Sequence, residues 1–350
     1  MPARKAFTYV GVPVPLMSSY SRPTPRSPDL REGGAWTFLQ RAKNDALWAF
    51  ASVTLAAARR LSLPTLRFFG RTIGTTAHAL APGARRTALS NVARVFPELD
   101  AGERRTFVKR TFATLGELLG ETVALLDPSR PPPLLRLADQ ARALFEEARS
   151  EQRGVLFASA HLGPWEGVAA SLAAAGVPLV TLARESYDPR FTSLYERLRS
   201  AHGVRVVWRA SPGAAARIVR TLRAGGVLGV PMDLRARVPS IDAPFLGHDA
   251  PTPVGPARIA LRTGAVVIVG TAAPARESAE RDAPSRAPAG HAALQMVVTA
   301  TRIPTGDLQP GPQGVGELTN RINRELSHRI LALPHAWVWM HERWGSRTGV

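Results

Sequence analysis

No cysteine occurs among the 350 residues, which excludes disulfides, thiolate nucleophiles and cysteine-type zinc sites. Lysine is nearly missing too. Only Lys5, Lys43 and Lys109 stand among 45 basic side chains, and the rest are arginine. With 27 acidic residues the formal net charge is +18, which suits anionic partners such as phospholipid headgroups, an acidic carrier protein, coenzyme A phosphates or nucleic acid. A nucleic-acid role fails on pattern, because the charges are dispersed instead of interleaved with aromatics along one stripe. The chain has no G-x-S-x-G elbow and no G-x-x-x-x-G-K-[ST] loop, so serine-hydrolase and phosphate-loop nucleotide enzymes are set aside. No set of histidines has metal-ligand spacing.

Long apolar runs are scarce as well. Residues 1–33 mix Pro, Ser and Arg without periodicity and read as a disordered basic tail, lacking the apolar core and cleavage site of a secretory signal. The run Ala46 to Ala58 is short for a spanning helix, which needs about 20 apolar residues. Followed by Arg59-Arg60 and the stretch Leu61 to Gly70, and carrying Trp48, it is expected to lie in a membrane interface as an anchor. The competing expectation is an ordinary amphipathic helix packed on the rest of the fold.

The 45% of hydrophobic residues allow a sizeable core, and beyond about residue 130 helix and strand signals alternate. Strands are expected at 154–160, 177–183, 204–208, 227–232, 265–270 and 294–299. Helices are expected at 166–176, 189–202, 212–224, 255–262 and 315–333, several opened by proline or closed by glycine. Such alternation predicts an α/β fold with a mixed, largely parallel sheet covered by helices. The organisation expected is a helical, membrane-associating region at 34–130 and an α/β domain at 131–350, the latter with a Pro/Arg/Ser-rich inserted loop at 272–291.

The segment Ala158-Ser159-Ala160-His161-Leu162-Gly163-Pro164-Trp165-Glu166 carries the chemistry. On one continuous helix, positions five apart diverge by about 140°, so the chain must bend between His161 and Glu166. A strand ending before His161 and a helix beginning near Glu166 would place both at the carboxyl edge of a sheet, where open α/β folds bind ligands. There a neutral imidazole can take a proton from an alcohol, while a carboxylate at its other ring nitrogen fixes the tautomer. The pair resembles a serine-hydrolase dyad without its nucleophilic serine, since the chain has no G-x-S-x-G elbow. The hydroxyl activated would belong to a second substrate, which points to group transfer onto an alcohol. Arg184, at the end of the next strand, is placed to meet a phosphate. Asp233, ending a later strand, is expected to bind acceptor hydroxyls or orient Arg184, unless it simply pairs with Arg235 or Arg237. Gly163 and Trp165 are assigned to shaping the turn beside the substrate, and His341 and Arg343 could reach the site from the tail.

His161 and Glu166 match the H-x4-E signature of the lysophospholipid acyltransferase superfamily, and HLGPWE resembles its bacterial lipid A late-acyltransferase branch, relatives of the phosphatidylinositol mannoside acyltransferases. The resemblance runs from about residue 36 to 345. It includes Asn91 to Leu99 (similar to N-L-x-x-x-F-P-E), Asp233 with Phe245-Leu246-Gly247 and Thr252-Pro253-Val254-Gly255, and Pro334 to Trp344 (similar to P-E-Q-W-x-W-x-H-x-R-W). His335 and Ala336 depart from that last pattern. The resemblance implies a fatty acyl chain moved from acyl-carrier protein or acyl-CoA to a hydroxyl of a membrane glycolipid, first a lipid A precursor, otherwise another glycolipid or a lysophospholipid. It implies no cofactor and no metal, with the protein on the cytoplasmic face of the inner membrane. A non-catalytic protein that binds anionic lipid is the remaining alternative.

Overall fold

The structure is a computed structural model describing residues 35–127, 132–209, 211–236, 238–275 and 296–345. The tail at 1–33, Arg237 and residues 276–291 of the expected loop lie outside these. Four helices come first: α1 (Phe38–Ala58), α2 (Leu63–Leu80), α3 (Pro82–Val95) and α4 (Ala101–Leu125). Reciprocal capping boxes fix two of the starts, Thr37 with Gln40 and Asp100 with Glu103. The alternating part follows as β1 (Arg136–Leu137), α5 (Asp139–Ser150), β2 (Val155–Ser159), α6 (Trp165–Ala174), β3 (Leu179–Ala183), α7 (Pro189–Ala201), β4 (Arg205–Trp208), α8 (Ala214–Arg223) and β5 (Val227–Pro231). A hairpin, β6 (Ser240–Phe245) and β7 (His248–Pro253), leads to α9 (Gly255–Thr263), β8 (Val266–Pro274), β9 (Met296–Ile303) and α10 (Pro312–Ala332).

Seven strands form one sheet in the order β1-β9-β8-β2-β5-β3-β4. Strands β8, β2, β5, β3 and β4 run parallel, whereas β9 lies antiparallel to β8, so the sheet is mixed and largely parallel. Alternate residues of β2 serve opposite faces. Leu156 and Ala158 join one cluster with α8, α9 and α10, and Val155 and Phe157 join another with α5 and α6. On α10, Leu318, Ile322, Leu326 and Ile330 repeat at i+4 and are fully buried.

Three sequence expectations need correction. Ala272 to Pro274 are not loop: they continue β8 in register with β9, and Ala272 is buried. The hairpin β6–β7 lies where the sequence predicts no strand, because Pro244, Pro251 and Pro253 break the strand pattern; an isolated two-stranded ribbon tolerates them. Its turn places Leu246 (φ 50°) and Gly247 (φ 81°) both in the left-handed region, the geometry of a two-residue hairpin turn, with the Leu246 amide held by Ser327 Oγ at 2.9 Å. Finally, Trp48 packs inward instead of facing a headgroup layer. It meets Phe191 edge-on at 5.4 Å and lies under Arg190, which also ion-pairs with Asp45 and Asp188. The helical region shares its core with the sheet, since Ala88, Val92, Val108 and Phe112 belong to the same cluster as Leu156.

Candidate active site

Parallel pairing of β2 with β5 builds the site. Ser159 is in register with Pro231, and continuing two residues along both strands sets His161 opposite Asp233. The Asp233 carboxylate then takes three hydrogen bonds. Its Oδ1 meets His161 Nδ1 at 3.0 Å, and its Oδ2 accepts from the His161 amide at 2.9 Å and from the Trp337 indole N–H at 2.8 Å. Asp233 is wholly buried, while the His161 side chain keeps 29% of its surface exposed. An ionised carboxylate only accepts, so the Nδ1 proton faces Asp233 and Nε2 carries the free lone pair.

Electrostatics support that assignment. Burial alone would raise the Asp233 pKa, but the His161 charge, its hydrogen bonds and the Trp337 indole outweigh burial and hold the carboxyl below its ordinary value. For His161, burial opposes the charged ring, yet the Asp233 charge and hydrogen bond, aided by the Glu166 charge, set its pKa above 6.5. The imidazolium formed by proton uptake is thus stabilised where it forms.

Between the strand end and α6 the chain turns at Gly163 (φ 61°), a conformation that costs glycine nothing. The turn is held by the C-terminal segment: the Gly163 amide donates to Ala336 O at 3.0 Å, and Leu162 bridges to Trp337. That segment is anchored in turn by Asn91 of α3, whose side chain donates to the carbonyls of Trp339 and His341 at 2.8 Å each. Trp165 begins α6 and sits edge-on to the His161 ring at 5.4 Å.

The chain matches the family model described as bacterial lipid A biosynthesis acyltransferase over residues 37–346. It belongs to that family. No similar sequence was found among curated proteins.

Within this acyltransferase the carboxylate at the histidine ring is Asp233 and not Glu166. Glu166, in the first turn of α6, is turned to α7 and held by Arg199 in a two-pronged ion pair, Nη2 to Oε1 at 2.7 Å and Nε to Oε2 at 3.1 Å. Both partners are largely buried, and Arg199 also covers the Tyr195 ring at 5.9 Å. Glu166 therefore reaches His161 through charge, not through a hydrogen bond. Among the described residues the Asp233 carboxylate is taken up by His161 and Trp337 and not by the expected ion pair with Arg235, while Arg237 lies outside them. Arg184 follows β3 on the carboxyl edge shared with His161 and is itself engaged within the protein. Arg343 is fully buried and structural: it bonds Pro251 O and Thr252 Oγ1 and lies over Phe245 at 4.4 Å. Arg199 and Trp337 are not among the sequence candidates, and Asn91 enters there only as the first residue of the N-L-x-x-x-F-P-E resemblance. Trp337 sits in the W-x-W segment, the one signal that marked it.

Proposed function

We propose that this lipid A biosynthesis acyltransferase uses His161, oriented by Asp233, as general base toward an acceptor hydroxyl. His161 Nε2 takes the hydroxyl proton as the oxygen attacks the carbonyl carbon of an acyl thioester. The C–S bond breaks, the acyl group is left on the acceptor oxygen, and the thiolate recovers the proton from the imidazolium. In the first turn of α6 the Trp165 amide is taken by Gly163 O, whereas the amides of Glu166 and Gly167 have no acceptor within the helix and are suited to the carbonyl oxygen as it gains charge. Arg184 is assigned to a substrate phosphate. The thioester would be acyl-carrier protein or acyl-CoA, and the acceptor a lipid A precursor. The observation that carries this reading is the buried Asp233 bonded to Nδ1 of a partly exposed His161, at the edge where parallel strands end.

The test is acyl transfer by detergent-purified protein from a mixed pool of acyl-carrier-protein and acyl-CoA donors into a bacterial lipid extract, read by mass spectrometry. A lipid that gains one acyl mass with the wild-type chain, but not with His161→Ala, supports the reading and identifies both substrates. No transfer from any donor would sink it.

Contact with the bilayer is assigned to the first two helices. No helix among the described residues is long and apolar enough to cross a membrane. Yet Phe38 (83%), Phe50 (67%) and Val53 (70%) of α1, and Phe68 (66%) and Leu80 (77%) of α2, are exposed to an extent that water penalises. Burying one phenylalanine side chain is worth about 2 kcal/mol. Phe50→Asp with Phe68→Asp is therefore expected to weaken vesicle binding by at least about tenfold in flotation, with transfer to soluble analogues kept. Unchanged flotation would place the membrane face elsewhere.

A pH profile supplies a further check. The base works only when neutral, and its pKa lies above 6.5, so transfer should rise with pH through that raised value and then level off. In Glu166→Gln one of the charges that lifts it is gone. The rising limb should move to lower pH while the plateau falls less than tenfold, read from kcat across pH 5–9; a limb that stays put would mean the Glu166 charge is screened.

A further inference from the structure

Between α1, α4 and α7 lies an open cleft of about 660 Å³, lined by no residue that touches His161 or Asp233. Its floor is apolar, with Leu55, Val123, Leu194 and Leu198 among the lining side chains, and it has the size of a small-ligand pocket. Arg59 and Arg197 stand at its border, both exposed and neither paired with a carboxylate among the described residues. The single carboxylate in the lining, Asp127, is buried and already engaged within the protein.

We propose that this cleft is a second lipid site, which holds one anionic phospholipid with its phosphate between Arg59 and Arg197 and an acyl chain along Leu55, Val123 and Leu198. Two guanidinium groups with no carboxylate partner among the described residues, beside an apolar floor, match the two halves of such a molecule, and arginine is suited to phosphate oxygens. The cleft is also continuous with the helix proposed to meet the bilayer. Ser52, Leu55 and Ala56 of α1 line it, while Phe50 and Val53 of the same helix face outward. The proposal rests on that membrane reading and not on the role of His161.

Helix α7 separates the cleft from the catalytic side. Leu194, Arg197 and Leu198 face the lipid site, whereas Arg199 holds Glu166. Leu198 also packs with Leu125 against Ala170, one turn beyond Glu166 on α6. A bound lipid would therefore brace the helix that restrains Glu166.

Native mass spectrometry of the full chain from detergent, offered phosphatidylglycerol and phosphatidylcholine in equal amounts, tests the proposal. One phosphatidylglycerol should be retained per chain, at least about tenfold over phosphatidylcholine. Retention should survive His161→Ala and be lost in the Arg59→Ala/Arg197→Ala double variant. Brominated phosphatidylglycerol should quench Trp48, which lines the cleft, as read by difference from Trp48→Phe. Equal retention of both lipids, retention that survives the double variant, displacement by acyl-CoA at equal affinity, or no retained lipid would each overturn the proposal. Retention is scored without a bilayer, so flotation reports membrane binding separately.

Discussion

Replacing His161 with alanine should lower acyl transfer by about 10³-fold or more, and Asp233→Asn should lose most of that factor although the histidine remains. An asparagine at 233 presents either an amide N–H or a carbonyl to Nδ1. The N–H fits the accepting tautomer, which puts the proton on Nε2, where a lone pair is needed. Three decades in rate correspond to about 4 kcal/mol of transition-state stabilisation. The two variants separate by pH. Asp233→Asn leaves burial as the largest influence on His161, so its pKa should fall and the low residual rate should level off at a more acidic pH than in the wild-type chain. Equal kcat for Asp233→Asn and wild type, with the limb unmoved, would return the orienting role to another group. Glu166→Gln offers the contrast, because it leaves the Asp233 bond intact. It exposes Arg199 to the loss of its partner, so it should lower the unfolding temperature more clearly than it lowers the plateau rate.

That contrast shows where the sequence stopped being readable. Strand β2 and helix α6 were legible because an apolar run and a glycine-ended helix flank the turn. Chain position accordingly places Glu166 near His161, yet it does not reveal that Glu166 pairs with Arg199. The carboxylate that meets the ring comes 72 residues later, through the β2–β5 register, and the third hydrogen-bonding group comes from Trp337 at the far end of the chain. Pairing between distant segments depends on strand order, and periodicity carries no record of it. Arg199 is similar: a basic residue on an exposed-looking helix becomes the clamp on Glu166 once α7 packs beside α6. The apolar run of α1 is legible in the sequence, but Trp48, which suits a headgroup layer by residue type, lies on the side turned to α7, edge-on to Phe191. One aromatic cannot signal its own direction when both faces of a helix carry apolar residues.

Glycines spaced four apart in α2 and α4 lead to the second large effect. Gly70 and Gly74 face Gly116 and Gly120, and a Cβ built on any of the four would run into a carbonyl of the opposite helix. The two backbones meet without side chains between them, flanked by Arg67 with Glu121 at 2.8 Å and Arg71 with Glu117 at 2.6 Å. Gly116→Val must force the helices apart. It should destabilise the chain by about 3 kcal/mol or more, whereas Leu119→Ala, on the exposed side of α4, should cost under about 1 kcal/mol. Chemical unfolding in detergent measures both, and a loss under about 1 kcal/mol for Gly116→Val would mean that the backbones are not in contact. The damage should reach catalysis. On α4, Phe107 touches the His335 ring at 4.3 Å and Trp339 at 5.7 Å, in the segment that presents Trp337 to Asp233. A helix displaced at Gly116 therefore loosens the support of that segment, and Gly116→Val should lose transfer activity at temperatures where the sheet is still folded.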